Sequence, residues 1–384
     1  MSSKFMKDGF SNVVESWDDL MGTLSQMERD SEWLDQYRLG DLEVLPLSAQ
    51  DVKDFSDPDV YADTQQGSNL AIRIPDGRIF CLRVQGVPSI HLRAGITGEA
   101  YSRLSSEIEA RHLNDGLHEK SASERGCVIK VAGDKILAVH SENYNPYSVL
   151  DGFVDARNFF DTQYPDAKFQ YGFVSHEMAQ AALDLSAYNE ECFKNVMDFF
   201  GATKVLPVLG ISMGDAAKSC VSLYPQIFVK QQKGNIERLL EIPLGQEMCL
   251  RHRGKIPMAE AFQNNLSRLQ AQFDEPLYKL RRMKKNEMSY PLDAFMNACD
   301  KIGITKRYAK ATNGKAKEFE ITCMDMENQG KELTAFDVYM AMCDIPNKIE
   351  KDEADALQQA KFKAKETLKR AIGLDWTDMD YKRM

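Results

Sequence analysis

The chain has 384 residues, 43% hydrophobic and 28% charged, with a formal net charge of -10. That length can bury a large core in one to three domains, and the balance is that of a soluble globular protein. No apolar run approaches the roughly 18–20 residues of a membrane span, the opening Met1 to Asp8 lacks a signal-peptide stretch, and the eight cysteines are scattered singly, so the expectation is a cytoplasmic protein with buried thiols and no membrane partner.

Residues 1–66 form an acidic amino-terminal segment, with Asp18, Asp19, Glu28, Asp30, Glu32, Asp35, Asp51, Asp54, Asp57 and Asp59 among few cations. Val13, Val14, Trp17, Leu20, Met21 and Leu24 recur at helical spacing, which predicts that the segment is partly helical. Its plain reading is a solvated surface helix. Its sharper reading is an acidic flap that competes with DNA for basic residues elsewhere.

Residues 67–256 read as an α+β core. Asn69 to Val84 alternates around Pro75-Asp76-Gly77, and Cys127 to His140 does so around Gly133-Asp134; both are β-hairpin patterns. Ser148 can cap a helix reaching about Tyr164, and Phe169, Tyr171 and Phe173 then alternate as in a strand. Hairpins with an inserted helix predict an antiparallel, hairpin-rich sheet rather than a doubly wound one.

Residues 257–384 read as mainly helical. Phe262, Leu266, Leu269 and Phe273 make one stripe, and Asp274 can cap a second helix at Pro276. Ser289 can cap a third, closed by Gly303, and Thr334 with Asp337 resembles a capping box. A last helix covers roughly residues 351–372. Between these, Thr305 to Thr322 around Asn313-Gly314 predicts a basic β-hairpin near 305–323, because Asn-Gly is the strongest short hairpin signal.

Charge is segregated along the chain. Residues 251–317 hold fifteen Lys and Arg against six Asp and Glu, a local +9 inside an acidic protein. Such a stretch points to an anionic partner. Tyr278, Arg281, Arg282 and Lys285 fall at i, i+3, i+4 and i+7 and so share one helical face, anchored by Leu277 and Leu280 on another. On the expected hairpin, Lys306, Tyr308 and Lys310 share a strand face, with Arg307 beside them. Arg251, Arg253 and Lys255 extend the run, and Tyr290 offers a further aromatic plane. Cations neutralise phosphates and tyrosines stack on unpaired bases, so single strands are preferred over duplex. The competing reading is mundane: charged helix faces are usually only solvated, and edge strands carry lysine against aggregation.

Other motifs are weaker. Gly210-Ile-Ser212-Met-Gly214 matches G-x-S-x-G after an apolar run, the setting of a nucleophilic serine. Only His252 could complete a triad downstream, and Pro207 fits a central strand badly. Lys218-Ser219 lacks the glycine of a phosphate loop, and Cys249 with His252 lacks a second metal-ligand pair. No catalytic residue, metal or cofactor is therefore assigned.

Gly133 to Ser141 followed by Asn143-Tyr144-Asn-Pro146, the Ser212-Met-Gly214 step, Arg251-His252-Arg253 and Thr334-Ala335-Phe336 together resemble a family of phage- and plasmid-encoded proteins of unknown function. Phe336 stands where that family has tryptophan, and the first hundred residues lie outside the likeness. The resemblance implies a mobile-element origin, a host-cytoplasm location and a non-enzymatic α+β protein. The function expected is single-stranded DNA binding in replication, annealing or early transcription, with self-association along the strand. The alternatives are a protein-interaction module that inhibits a host factor, working through the acidic amino-terminal segment, and a serine hydrolase using Ser212.

Overall fold

The computed structural model describes residues 7–29, 31–96, 103–176, 178–188, 191–200, 205–214, 221–233, 236–243, 248–250, 258–266, 271–350 and 357–383. The protein is α+β, with two sheets and a helical carboxyl-terminal region. The chain opens with β1 (Ser11–Val14) and α1 (Trp17–Glu28), then builds β2 (Ser31–Arg38), β3 (Glu43–Pro46), α2 (Gln50–Phe55) and α3 (Pro58–Gln65). The hairpin β4 (Leu70–Arg73) and β5 (Ile79–Leu82) follows, then α4 (Val87–Arg93), α5 (Ser106–His118), α6 (Lys120–Ser123) and the hairpin β6 (Gly126–Ala132) and β7 (Lys135–Ser141). After α7 (Val149–Gln163) come β8 (Lys168–Ser175), β9 (Ala179–Asp184), α8 (Glu191–Phe200), β10 (Val205–Met213), β11 (Val221–Lys233), β12 (Ile236–Pro243) and β13 (Met248–Leu250). Helices complete the chain: α9 (Met258–Leu266), α10 (Ala271–Met283), α11 (Pro291–Ile302), α12 (Ile304–Arg307), α13 (Ala309–Asn328), α14 (Ala335–Cys343) and α15 (Leu357–Leu368).

One sheet runs β2-β6-β7-β5-β4-β3 and is antiparallel except where β5 meets β7. The other runs β1-β8-β9-β10-β11-β12, with β13 on β11, and is antiparallel throughout. The amino-terminal segment is thus woven into both sheets. Val13 and Val14 belong to β1, not to the expected helix, while Leu20 and Leu24 of α1 are buried as expected. Trp17 packs on Phe169 of the sheet and Phe153 of α7. Ser148 caps α7 through the Asp151 N–H, and Thr334 and Asp337 form the expected capping box on α14. Gly303 ends α11 at a φ of 83°, a left-handed position that favours glycine.

Two buried lysines of the β6–β7 hairpin tie the amino terminus down. Lys135 is fully buried; its Nζ lies 2.6 Å from Asp8 Oδ1 and also hydrogen-bonds Asp63. Asp8 in turn accepts from the Val84 N–H at 3.0 Å, and the Asp8 N–H donates to Asp63 at 2.9 Å. Lys130, equally buried, meets both oxygens of Glu28 at 2.9 Å and lies 5.1 Å from the Trp33 ring. Asp8 and Glu28 therefore serve the fold, and so does Asp63.

The basic hairpin near 305–323 is a correction. Asn313 and Gly314 lie inside the 20-residue helix α13. Tyr308, Ala311, Thr312 and Phe319 are buried at helical spacing, and Phe319 meets Phe295 of α11 with ring centroids 5.7 Å apart. Burial of that stripe outweighs the roughly 1 kcal/mol that a mid-helix glycine costs. Asn313 and Gly314 face solvent, and a Cβ built on Gly314 meets nothing within 4 Å. Gly314→Ala is therefore expected to stabilise the protein by about 0.4–1 kcal/mol in urea unfolding. Destabilisation would restore the hairpin, whose turn needs positive φ at that residue.

A second local correction concerns Pro276. It does not begin a helix capped by Asp274; α10 starts at Ala271 and runs through it. Ser289 likewise precedes the cap of α11, which is Tyr290.

Candidate nucleic-acid interface

α10 packs its Phe273, Leu277, Leu280 and Met283 inward. The other side is left to solvent: Tyr278 is 61% exposed and Arg281 and Arg282 are exposed, while Lys285, expected on the same helix, is exposed in the turn that follows the end of α10 at Met283. None of these three cations has a carboxylate partner among the described residues. Lys279 is used locally, at 2.8 Å from Glu275. Lys284 is also committed, lying 4.1 Å from the Phe199 ring and 5.0 Å from that of Phe336, with its Nζ donating to the Phe199 carbonyl at 3.1 Å. That clamp fixes the end of α10 on α8 and α14 and sets the direction in which Arg281, Arg282 and Lys285 project.

The remaining candidates divide. Arg251, Arg253 and Lys255 lie outside the described residues. Lys306 and Arg307 are exposed on α12, at the far end of α11 from the α10 terminus. Lys310 sits on α13 and pairs with Glu350 at 2.9 Å. Tyr308 is corrected outright: it is only 7% exposed, so no base can stack on it, because α12 and α13 turn it into the core instead of onto a strand face. Burial also raises the pKa of its hydroxyl. Tyr290 is accessible but lines a groove with Glu287, Asp293, Glu327 and Glu332 against Lys331, where the excess of negative charge opposes a phosphate backbone. The structure thus brings Tyr278, Arg281, Arg282 and Lys285 together and separates them from the α12 cluster by the length of α11.

Of the hydrolase candidates, His252 lies outside the described residues. Ser212 lies within β10, paired in register with Ser222 of β11 on one side and Gln180 of β9 on the other. A nucleophile elbow places a helix after the strand; residues 215–220 lie outside the described residues, and the next described element is the antiparallel partner β11. Pro207 is accommodated because pairing of β10 with β9 begins only at Val208. Pro225 lies on β11 between the β13 pairing, which is described up to Leu223, and the β12 pairing, described from Gln226.

Among the described residues, no group of three or more His, Cys, Asp or Glu side chains is placed to hold a metal, and no helix is long and apolar enough to cross a membrane. Comparison of the chain with protein-family models, with curated proteins and with solved structures gives no match.

Proposed function

We propose that the exposed face of α10 binds single-stranded nucleic acid, without catalysis, with Arg281, Arg282 and Lys285 on phosphates and Tyr278 stacking on a base. The observation that carries this reading is the exposure of Tyr278 among three cations that no described carboxylate neutralises. A large exposed aromatic beside unpaired arginines combines a stacking plane with backbone charge, which is how sequence-tolerant single-strand binders work. Replication, recombination or early transcription of a mobile element is the setting such an activity would serve.

The reading is tested by fluorescence anisotropy with one labelled oligonucleotide, offered single-stranded and as a duplex. Tighter binding to the single strand is expected. Tyr278→Ala should weaken single-strand binding by about 5- to 150-fold, the equivalent of about 1–3 kcal/mol for one stacked base, and should leave duplex binding nearly unchanged. Equal losses on both forms, or no binding at low salt, would sink it.

A further inference from the structure

The α11–α13 pair is electrically polarised. The two helices run antiparallel, joined by α12, with Phe295 against Phe319 midway. At one end a groove of about 650 Å³ opens between the start of α11 and the end of α13. Buried Met288 and Leu333 give it apolar lining, and Glu287, Asp293, Glu327 and Glu332 give it charge. Among the described residues Lys331 is the only lining cation, and its Nζ is hydrogen-bonded to Gln329 Oε1 at 3.0 Å. The four carboxylates have no cationic partner among the described residues. The Glu332 carboxyl beside Glu287, through a shared hydrogen bond and like charge, pushes the Glu287 carboxyl above its usual pKa.

At the other end of α11, about 18 Å away at 1.5 Å per residue, the charge reverses. Lys301, Lys306 and Arg307 are exposed there and likewise have no carboxylate partner among the described residues. The two ends of one rigid helix pair cannot meet within a molecule, but they are complementary between molecules.

We propose that the Lys301, Lys306 and Arg307 turn of one copy of this chain seats in the acidic groove of the next, so that copies associate head to tail. The occupant is a second copy because three cations without a carboxylate partner match a groove whose four carboxyl groups have no cationic partner among the described residues. Arginine and lysine stems can also cover the apolar lining while their charged heads reach the rim. Such a contact joins different surfaces of the two partners, so it builds a ring or an open chain, according to the rotation between copies, and not a two-fold dimer. It uses neither Tyr278 nor the α10 cations, and it stands independently of the nucleic-acid reading.

The test is sedimentation velocity of the full chain without nucleic acid, from about 5 to 100 μM protein, at about 50 mM and 500 mM salt, which brackets strong and weak screening. The sedimentation coefficient is expected to rise with concentration at low salt and to stop rising at high salt. Glu327→Lys/Glu332→Lys and Lys306→Glu/Arg307→Glu should each abolish the rise. An equimolar mixture of the two variants should restore association, because the unaltered turn of the first fits the unaltered groove of the second and the two reversed surfaces fit each other. Circular dichroism checks that each variant is folded, and the milder pair Glu332→Gln and Lys306→Gln should halve the effect if a reversal unfolds the chain. A wild-type coefficient independent of concentration, variants that associate like wild type, or folded variants whose mixture stays monomeric would each overturn the proposal.

Discussion

Lys135→Met is expected to destabilise the protein by about 3–5 kcal/mol, the usual cost of removing one partner from a buried ion pair. Methionine fills nearly the same space, so the loss is electrostatic rather than a cavity. Without the ammonium, Asp8 and Asp63 face each other across the Asp8 N–H, with the buried Arg83 guanidinium, 3.8 Å from Asp8, as the remaining charge that offsets them. Asp8 is 8% exposed and cannot simply turn to water. Lys130→Met should cost less, about 1–2 kcal/mol, because the Glu28 side chain is 24% exposed and can rehydrate. Urea unfolding with an unchanged slope would measure both. A Lys135→Met midpoint within experimental error of wild type would refute the account of how the amino terminus is held.

The same cluster sets a pH dependence. Burial disfavours the Asp63 carboxylate, but the hydrogen bonds from Lys135 and the Asp8 N–H, with the charges of Lys135 and Arg83, outweigh it and hold its pKa below the ordinary value. A carboxyl depressed in the folded state stabilises fully above its unfolded pKa of about 3.9. That contribution is lost as pH falls through the lower, folded value. The stability difference between wild type and Asp63→Asn should therefore be largest at pH 7 and shrink toward pH 3. A difference that stays constant would contradict the assignment.

Local chemistry is legible wherever partners lie close in the chain. The turns at Pro75-Asp76-Gly77 and Gly133-Asp134, the Ser148 cap, the Thr334 and Asp337 box and the Gly303 stop are all read from neighbouring residues, and all are formed. Asn313-Gly314 misleads because a two-residue turn signal competes there with a longer apolar stripe, and the stripe wins. At helical spacing, Tyr308, Ala311, Thr312 and Phe319 describe a buried helix face, and Tyr308 loses its stacking role with the strand. The lysine network is invisible for a different reason. Lys130 and Lys135 find Glu28 and Asp8 at separations of 102 and 127 residues, and no local pattern marks a strand lysine as buried. Nor can periodicity show that β1 pairs with β8 across a whole sheet built between them in the chain. The α10 face is legible because i, i+3, i+4 spacing puts Tyr278, Arg281 and Arg282 on a shared side, and Leu277 and Leu280 fix which side is buried; Lys285, at i+7, falls past the helix end at Met283, which spacing alone does not mark.

Arg281→Glu/Arg282→Glu is expected to weaken single-strand binding by about 100-fold or more at low salt. Removing one charge-assisted hydrogen bond to a phosphate costs about 1.4 kcal/mol or more, a factor of about ten, and reversal adds repulsion. The alternative is that these cations only complement the carboxyl-terminal end of the α10 dipole. That role is worth about 0.3–1 kcal/mol per residue in stability and predicts a lower unfolding midpoint with no change in binding. Measuring both quantities on one variant separates the two roles.

The most direct measurement is the slope of log affinity against log salt for a single-stranded oligonucleotide, in wild type and in Arg281→Glu/Arg282→Glu. Each neutralised phosphate contributes about 0.7 to that slope on single strands, so three of them predict about -2 for wild type, and the variant should be shallower by about 1.4. Equal slopes in the two proteins, or wild-type binding that ignores salt, would contradict the assignment of Arg281, Arg282 and Lys285 to a nucleic-acid backbone.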